Sequence, residues 1–298
     1  MATTETISPN FLDLDTWPDV KILAAFSDGQ ERAIAAVRAA HPSIAQAARA
    51  IAKRSGESGR LIYVGAGSSG VIGALDGIEL GGTFGWPDDR VAFVLANGPV
   101  LKPGLAGAPE DDVGRARVEM AKLTPTSRDT VIAVAASGAT PFTLAATDAA
   151  HAAGALTVGI ANNRTAPLLA GVDIPIFLDT GPEAIVGSTR MNAGTAQKAA
   201  LNMLSSLTMI HLGHVHDGMM VNLRADNAKL RRRALATVMR IAGCSENEAG
   251  RALDRAHGHI KAATLIARGI EPAEAERLLA ANKGNLRAAL ARLTERVR

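Results

Sequence analysis

Residues Leu61 to Gly85 read LIYVGAGSSGVIGALDGIELGGTFG, and this stretch decides the fold. The apolar run Leu61-Ile62-Tyr63-Val64 stops at Gly65, and Gly67, Ser68, Ser69 and Gly70 follow. The pattern then turns helical, with Val71, Ile72, Leu75 and Ile78 on one side. Strand, glycine turn and helix start in that order make an anion site, because the first helical amides have no partner inside the helix and the dipole adds partial positive charge there. Glycines let an anion approach the backbone, and the two serines add hydroxyl donors. A tight connection with no ligand is the plain alternative. Gly65, Gly67 and Gly70 also fit the G-x-G-x-x-G spacing of dinucleotide sites. The acidic residue such a site needs after the next strand is not evident, since Asp88 and Asp89 precede Val91–Ala96. The Ser-Ser pair favours a phosphate monoester.

Outward from this turn, strands and helices alternate. The runs Val91–Ala96, Thr130–Ala136, Leu156–Ala161 and Ile174–Leu178 read as strands. Helices are expected from Glu110 to Lys122, from Pro141 to His151 and near 167–170. Continuous apolar strands separated by helices imply a parallel sheet covered on both faces, with ligands at the carboxyl ends of the strands. The loops at those ends are 65–70, 97–110, 137–140, 162–165 and 179–189, all rich in Gly, Ser, Thr or Asn. Ser137-Gly138-Ala139-Thr140-Pro141 repeats the first turn in kind, with Pro141 suited to the first helical position. The stretch from Gly187 through Ser188, Thr189 and Lys198 opens a long helix expected to run to His214. Its polar beginning is a further candidate lining, and Lys198 is either a ligand contact or a surface charge.

The outer parts differ in character. Residues 1–54 are expected as a polar arm followed by helices Asp19–Ser27, Asp28–Ala40 and Pro42–Arg54. Residues 55–222 form the expected α/β domain and residues 223–298 a small helical bundle, laid out like a ubiquitin-associated module. Ser245-Glu-Asn-Glu248 is a capping box there. The 298-residue chain is nearly half apolar but poor in aromatics, which suits close-packed α/β layers and not base-stacking surfaces. The formal charge is +3, and Lys229-Leu-Arg-Arg-Arg233 reads as a solvated helix face. The lone Cys244 fits a reducing compartment and packing. The polar start and the lack of a long uncharged apolar run lead to the expectation of a soluble, cytoplasmic protein. No cofactor or metal is expected, and His211, His214 and His216 read as surface or packing residues.

Among the carboxylates, Asp76 and Glu79 share a helix face. Glu79 is expected near that helix's end, before Gly81-Gly82. Glu110-Asp111-Asp112 follows the second strand's loop, where acidic residues serve either as dipole partners or as a base facing an acid across the pocket.

The stretches GAGSSGVIGALDGIELGGTFG, VAASGATPF and GPEAIVGSTRMNAGTAQKAALNMLS resemble the N-acetylmuramic acid 6-phosphate etherases, members of the sugar isomerase (SIS) domain superfamily related to the glucokinase regulatory protein. The resemblance extends from Thr3-Glu-Thr to Gly243-Cys244. It implies an SIS-type three-layer α/β/α sandwich with a central parallel sheet, and a lyase of peptidoglycan recycling and carbohydrate metabolism. That lyase cleaves the D-lactyl ether of N-acetylmuramic acid 6-phosphate to N-acetylglucosamine 6-phosphate and D-lactate, by C2 proton abstraction, lactate elimination and water addition. The family's acid falls on Glu79 and its base on Glu110. Sugar-phosphate contacts fall on Gly67, Ser68, Ser69, Ser137, Gly138, Thr140, Glu183, Ser188, Thr189 and Lys198. A cytoplasmic homodimer with its pocket near the subunit interface is implied, without nucleic acid or membrane partners. Where the family motifs carry two arginines and a lysine, this chain has Val71, Ala139 and Asn192. The residues therefore also admit a sugar-phosphate isomerase, or a non-catalytic sugar-phosphate-sensing regulatory protein.

Overall fold

The computed structural model describes residues 3–56, 58–98, 107–223 and 227–296. The middle of the expected 97–110 loop (99–106) and one residue of the 56–59 break lie outside the described residues. The chain divides into two compact units, Met1–Ile78 with Asp89–Ser205, and Glu79–Asp88 with Ser206–Arg298.

In the first unit, strands β1 (Leu61–Gly65), β2 (Val91–Leu95), β3 (Thr130–Val134), β4 (Leu156–Ala161) and β5 (Ile174–Phe177) form one sheet in the order β2-β1-β3-β4-β5. Every pairing is parallel. β1, β3 and β4 are buried along their whole length, as their unbroken apolar runs require. Helices α1 (Asp19–Ala39), α2 (His41–Ser55), α3 (Gly67–Phe84), α4 (Val113–Lys122), α5 (Pro141–Ala152), α6 (Pro167–Ala170) and α7 (Asn192–His211) are interleaved with the strands, giving the expected α/β sandwich. One apolar cluster joins β1–β3 to α4 and α5 through Ile62, Val131, Met120 and Phe142.

The order matters for function. β1 leads through α3 to β2 on one side, and the chain then returns to place β3 on the other side of β1. The switch point, where α/β sheets bind ligands, therefore lies between the carboxyl ends of β1 and β3. Gly65 and Val134 are paired there. At the opposite ends of these two strands, Asp129 locks their register. Its carboxylate accepts from the Arg60 amide (3.0 Å), Arg60 Nε (3.0 Å), Arg60 Nη2 (2.8 Å) and the Thr126 amide (2.8 Å). Burial alone would raise this carboxyl, but the hydrogen bonds from Arg60 and Thr126 hold it down at about 2.

Several boundaries differ from expectation. α1 is one helix through Ser27-Asp28-Gly29, because Gly29 packs against α7: a Cβ there would lie 2.3 Å from Asn192 Oδ1. α3 continues through Gly81-Gly82 and ends at Phe84, before Gly85 with its φ of +62°. Asp112 caps α4, accepting from the Arg115 amide at 2.9 Å, so the expected helix from Glu110 begins instead with a separate 3₁₀ turn over Ala108–Asp111. The expected helix from Gly187 starts only at Asn192.

The second unit holds a short hairpin, β6 (Val215–His216) with β7 (Met219–Met220), which the sequence did not suggest. Helices α8 (Ala228–Ala242), α9 (Glu246–Arg255), α10 (Ile260–Ala267), α11 (Pro272–Ala281) and α12 (Leu286–Arg296) follow. The Ser245/Glu248 capping box opens α9 as expected. Val238, Ala263, Leu265 and Leu286 centre the apolar core of this unit. His216 is buried, and His214 Nδ1 lies 2.8 Å from the Phe84 carbonyl oxygen, so both serve packing.

Asp129→Asn is expected to lower the unfolding free energy by about 1.5–3 kcal/mol, the range for hydrogen bonds to a charged group. Because the folded-state pKa is depressed, this contribution is complete above the ordinary carboxyl value of 3.8 and is lost as pH falls toward about 2. Urea midpoints of wild type and variant should therefore differ most at pH 7, begin to approach each other below about pH 4 and draw together only as pH nears 2.

Candidate active site

The first turn is built by backbone contact. A Cβ on Gly65 would lie 2.8 Å from Gly70 Cα and 3.1 Å from the Val134 carbonyl oxygen, and one on Gly70 would lie 2.9 Å from Gly65 C. Only glycines at both positions let α3 leave β1 this closely. Gly67, at φ +52°, opens the helix. Ser68 is half-buried and Ser69 buried in its first turn.

The second turn stands beside the first through the pairing of β1 with β3. Gly138 takes φ +65°, and a Cβ there would meet Ala166 Cβ at 2.3 Å. Asn163 Nδ2 donates to the Ala136 carbonyl oxygen at 2.9 Å, fixing the strand end. Ser137 Oγ accepts from the Ala139 amide at 3.2 Å, and Thr140 stands at the start of α5 without using its hydroxyl as a cap. Gly67, Ser68, Ser69, Ser137, Gly138 and Thr140 are thus gathered at one switch point. Their amides and hydroxyls are the donor types that hold a phosphate monoester.

Glu110 reaches this site from the 3₁₀ turn ahead of α4. A Cβ on Gly67 would lie 2.9 Å from Glu110 Oε1, so the carboxylate stands directly over the first glycine of α3. Burial, with the Asp111 carboxylate as neighbour, pushes the Glu110 carboxyl above the usual range. A half-buried carboxylate raised in this way is a suitable proton acceptor. Glu79 lies on α3 and is exposed, next to the exposed side chains of Leu75 and Ile78.

The block from Glu183 to Lys198 divides by function. Glu183 is fully buried, and its two oxygens accept from the Asn192 and Ala193 amides, each at 2.9 Å. It closes the first turn of α7 in place of a local cap, which explains why that helix begins at Asn192. Burial raises its carboxyl, against the pull of those amides and of Arg32. Ser188 and Thr189 are half-buried in the preceding turn, where the Thr189 carbonyl accepts from the Gly194 amide at 2.7 Å. Lys198 is exposed and donates to Asn202 Oδ1.

The three positions without the family's cations are not alike. Asn192 is buried against Gly29 of α1, and its Nδ2 donates to the Pro182 carbonyl at 3.4 Å. Val71 is half-buried in the second turn of α3, whereas Ala139 is exposed at the tip of the second glycine turn. Sequence reasoning also missed Asp76 as a hub, since Tyr63, Asn202 and Ser205 all donate to it. The available signal was its position as the first charged residue after Arg60, within an otherwise uncharged stretch.

No family model matches the chain. Curated proteins named N-acetylmuramic acid 6-phosphate etherase are similar along nearly all of it. That of Deinococcus radiodurans is 44% identical over 290 residues, covering 96% of this chain and 94% of its own. Those of Streptomyces avermitilis and Rubrobacter xylanophilus are 42% and 41% identical, covering 97% and 96% of this chain and 93% and 95% of theirs. Among solved structures, a putative phosphosugar isomerase from Bacteroides fragilis aligns with a TM-score of 0.49 at 18% identity, covering 66% of this chain and 94% of that one.

Carboxyl ¹³C NMR titration should place Glu110 above an ordinary glutamate, and Asp111→Asn should bring its pKa down. Gly67→Ala should broaden or shift the Glu110 signal, because the new methyl needs the space the carboxylate holds.

Proposed function

The chain belongs to the N-acetylmuramic acid 6-phosphate etherase family, and from that premise we propose that it is the lyase that removes D-lactate from C3 of N-acetylmuramic acid 6-phosphate, leaving N-acetylglucosamine 6-phosphate. The observation that carries this reading is the Glu110 carboxylate over Gly67, where a carboxylate of raised pKa meets an anion-ready helix start.

In this mechanism the phosphate is held by the amides and hydroxyls of Ser68, Ser69, Ser137 and Thr140, and the opened sugar presents its aldehyde. Glu110 takes the C2 proton. The released electron pair forms the C2–C3 double bond as the C3–oxygen bond breaks, and Glu79 gives its proton to the departing lactate oxygen. Water then adds across the double bond, its oxygen to C3 and a proton to C2. Ser188, Thr189 and Lys198 are the proposed partners of the sugar and its lactyl carboxylate. Glu183 contributes by holding the start of α7.

Only Val71 and Ala139 stand where a lost cation bears on anion binding, since Asn192 is buried under α1. Each missing charge-assisted contact is worth about 1.5–3 kcal/mol. Weaker binding than in relatives with those arginines follows from this. A homodimer is part of the proposal: Leu75 is 45% and Ile78 61% exposed on α3 beside Glu79, an apolar face suited to a second copy near the pocket. The reaction belongs to cell-wall amino-sugar recycling, and we place it in the cytoplasm.

The test is D-lactate release from N-acetylmuramic acid 6-phosphate. Wild type should release it, and Glu79→Gln and Glu110→Gln should each lower kcat by about 10²–10⁴-fold, the usual contribution of one general acid or base. Folded wild type that binds the sugar phosphate but releases no lactate would overturn the reading.

A further inference from the structure

Asp76 is a buried charge that the mechanism above does not use. It is 4% exposed and lies in the middle of α3. Its Oδ2 accepts from the Tyr63 hydroxyl on β1 at 2.8 Å. Its Oδ1 accepts from Asn202 Nδ2 at 2.8 Å and from Ser205 Oγ at 3.0 Å, both on α7. All three donors are neutral, and no ion pair to Asp76 occurs among the described residues. A buried carboxylate without a cation is costly to keep, and a neutral residue of the same shape could join these helices at lower cost.

What a carboxylate does that a neutral isostere does not is accept only. With Oδ1 accepting from Asn202 Nδ2, the Asn202 amide has one permitted orientation, and its Oδ1 is turned away from Asp76. That oxygen accepts from Lys198 Nζ, one helical turn earlier on α7. Lys198 is exposed, so its ammonium would otherwise be spread over many rotamers in water.

We infer that Asp76 is a positioning residue: through the oriented Asn202 amide it holds the Lys198 ammonium in place for the anionic substrate. This rests on the reading above, in which Lys198 contacts the lactyl carboxylate of the substrate. Asparagine at position 76 would present either an oxygen or an NH₂ group. The Asn202 amide could then turn over and point its own NH₂ at Lys198, leaving the ammonium unheld.

The experiment is a double-mutant cycle read by calorimetric affinity for N-acetylmuramic acid 6-phosphate, which carries the lactyl carboxylate, with every protein also bearing Glu110→Gln so that the ligand is not consumed. Lys198→Met should weaken binding about tenfold or more, as loss of one charge-assisted contact does. Asp76→Asn should weaken it comparably when Lys198 is present and by less than about twofold when Lys198→Met is already present. Asn202→Leu, which leaves the Tyr63 and Ser205 bonds to Asp76 intact, should reproduce the loss and the same dependence on Lys198 if Asp76→Asn does not fold. Independent, multiplicative losses would overturn the inference, because a merely structural hub acts the same with or without the lysine. Unchanged affinity in Lys198→Met would overturn it too. Lactate release is a separate readout: its absence from wild type that binds the sugar phosphate counts against the etherase reaction and not against the cycle.

Discussion

Everything at the candidate site depends on one backbone contact, the approach of Gly70 to Gly65 at the end of β1. With only a few ångströms between these residues, there is room for α3 to start immediately after the strand and for no side chain at either glycine. The same closeness fixes where the unpaired amides of the first helical turn lie, beside the end of β3 and its own glycine turn. Because the chain crosses from one side of β1 to the other at this point, the two turns are neighbours although about 70 residues separate them. Glu110 stands over Gly67 for a related reason: without a Cβ at that position, the carboxylate can come close to the helix start.

The buried charges divide the rest of the work. Asp129 fixes β1 against β3 at the edge away from the site, with enough donors to remain ionised. Glu183 fixes the beginning of α7, and Asp76 ties α3 to β1 and α7. Each is satisfied by several donors, which is the condition for keeping a carboxylate in such surroundings. Glu110 differs in being only half-buried and in standing over the glycine turn at the start of α3. In the proposed mechanism that placement is what lets Glu110 meet the substrate, whereas Asp129, Glu183 and Asp76 hold the frame.

The parts legible in the sequence were those set by local chemistry. The apolar runs and the glycine turns located the strands to within a residue or two, and the Ser245/Glu248 capping box located α9. The parts that were not legible are set by distant contacts. Gly29 looks like a helix breaker but lies inside α1, because its missing side chain admits Asn192. Gly81-Gly82 looks like a stop, yet α3 ends only before Gly85, whose positive φ terminates it. Glu183 looked like a ligand contact from its motif; its two oxygens accept from amides nine and ten residues later. The missing lysine at position 192 read as a change in anion recognition, but that residue is covered by α1 and bears on packing instead.

The central claim is that a carboxylate over the glycine turn removes the C2 proton so that lactate leaves by elimination. The most direct measurement is the hydrogen content at C2 of N-acetylglucosamine 6-phosphate formed from N-acetylmuramic acid 6-phosphate in D₂O, read by NMR at early conversion. Elimination followed by water addition predicts one solvent deuterium at C2 in every product molecule. Product that forms with the original C2 hydrogen retained would mean direct displacement at the ether, and would contradict the role given to Glu110.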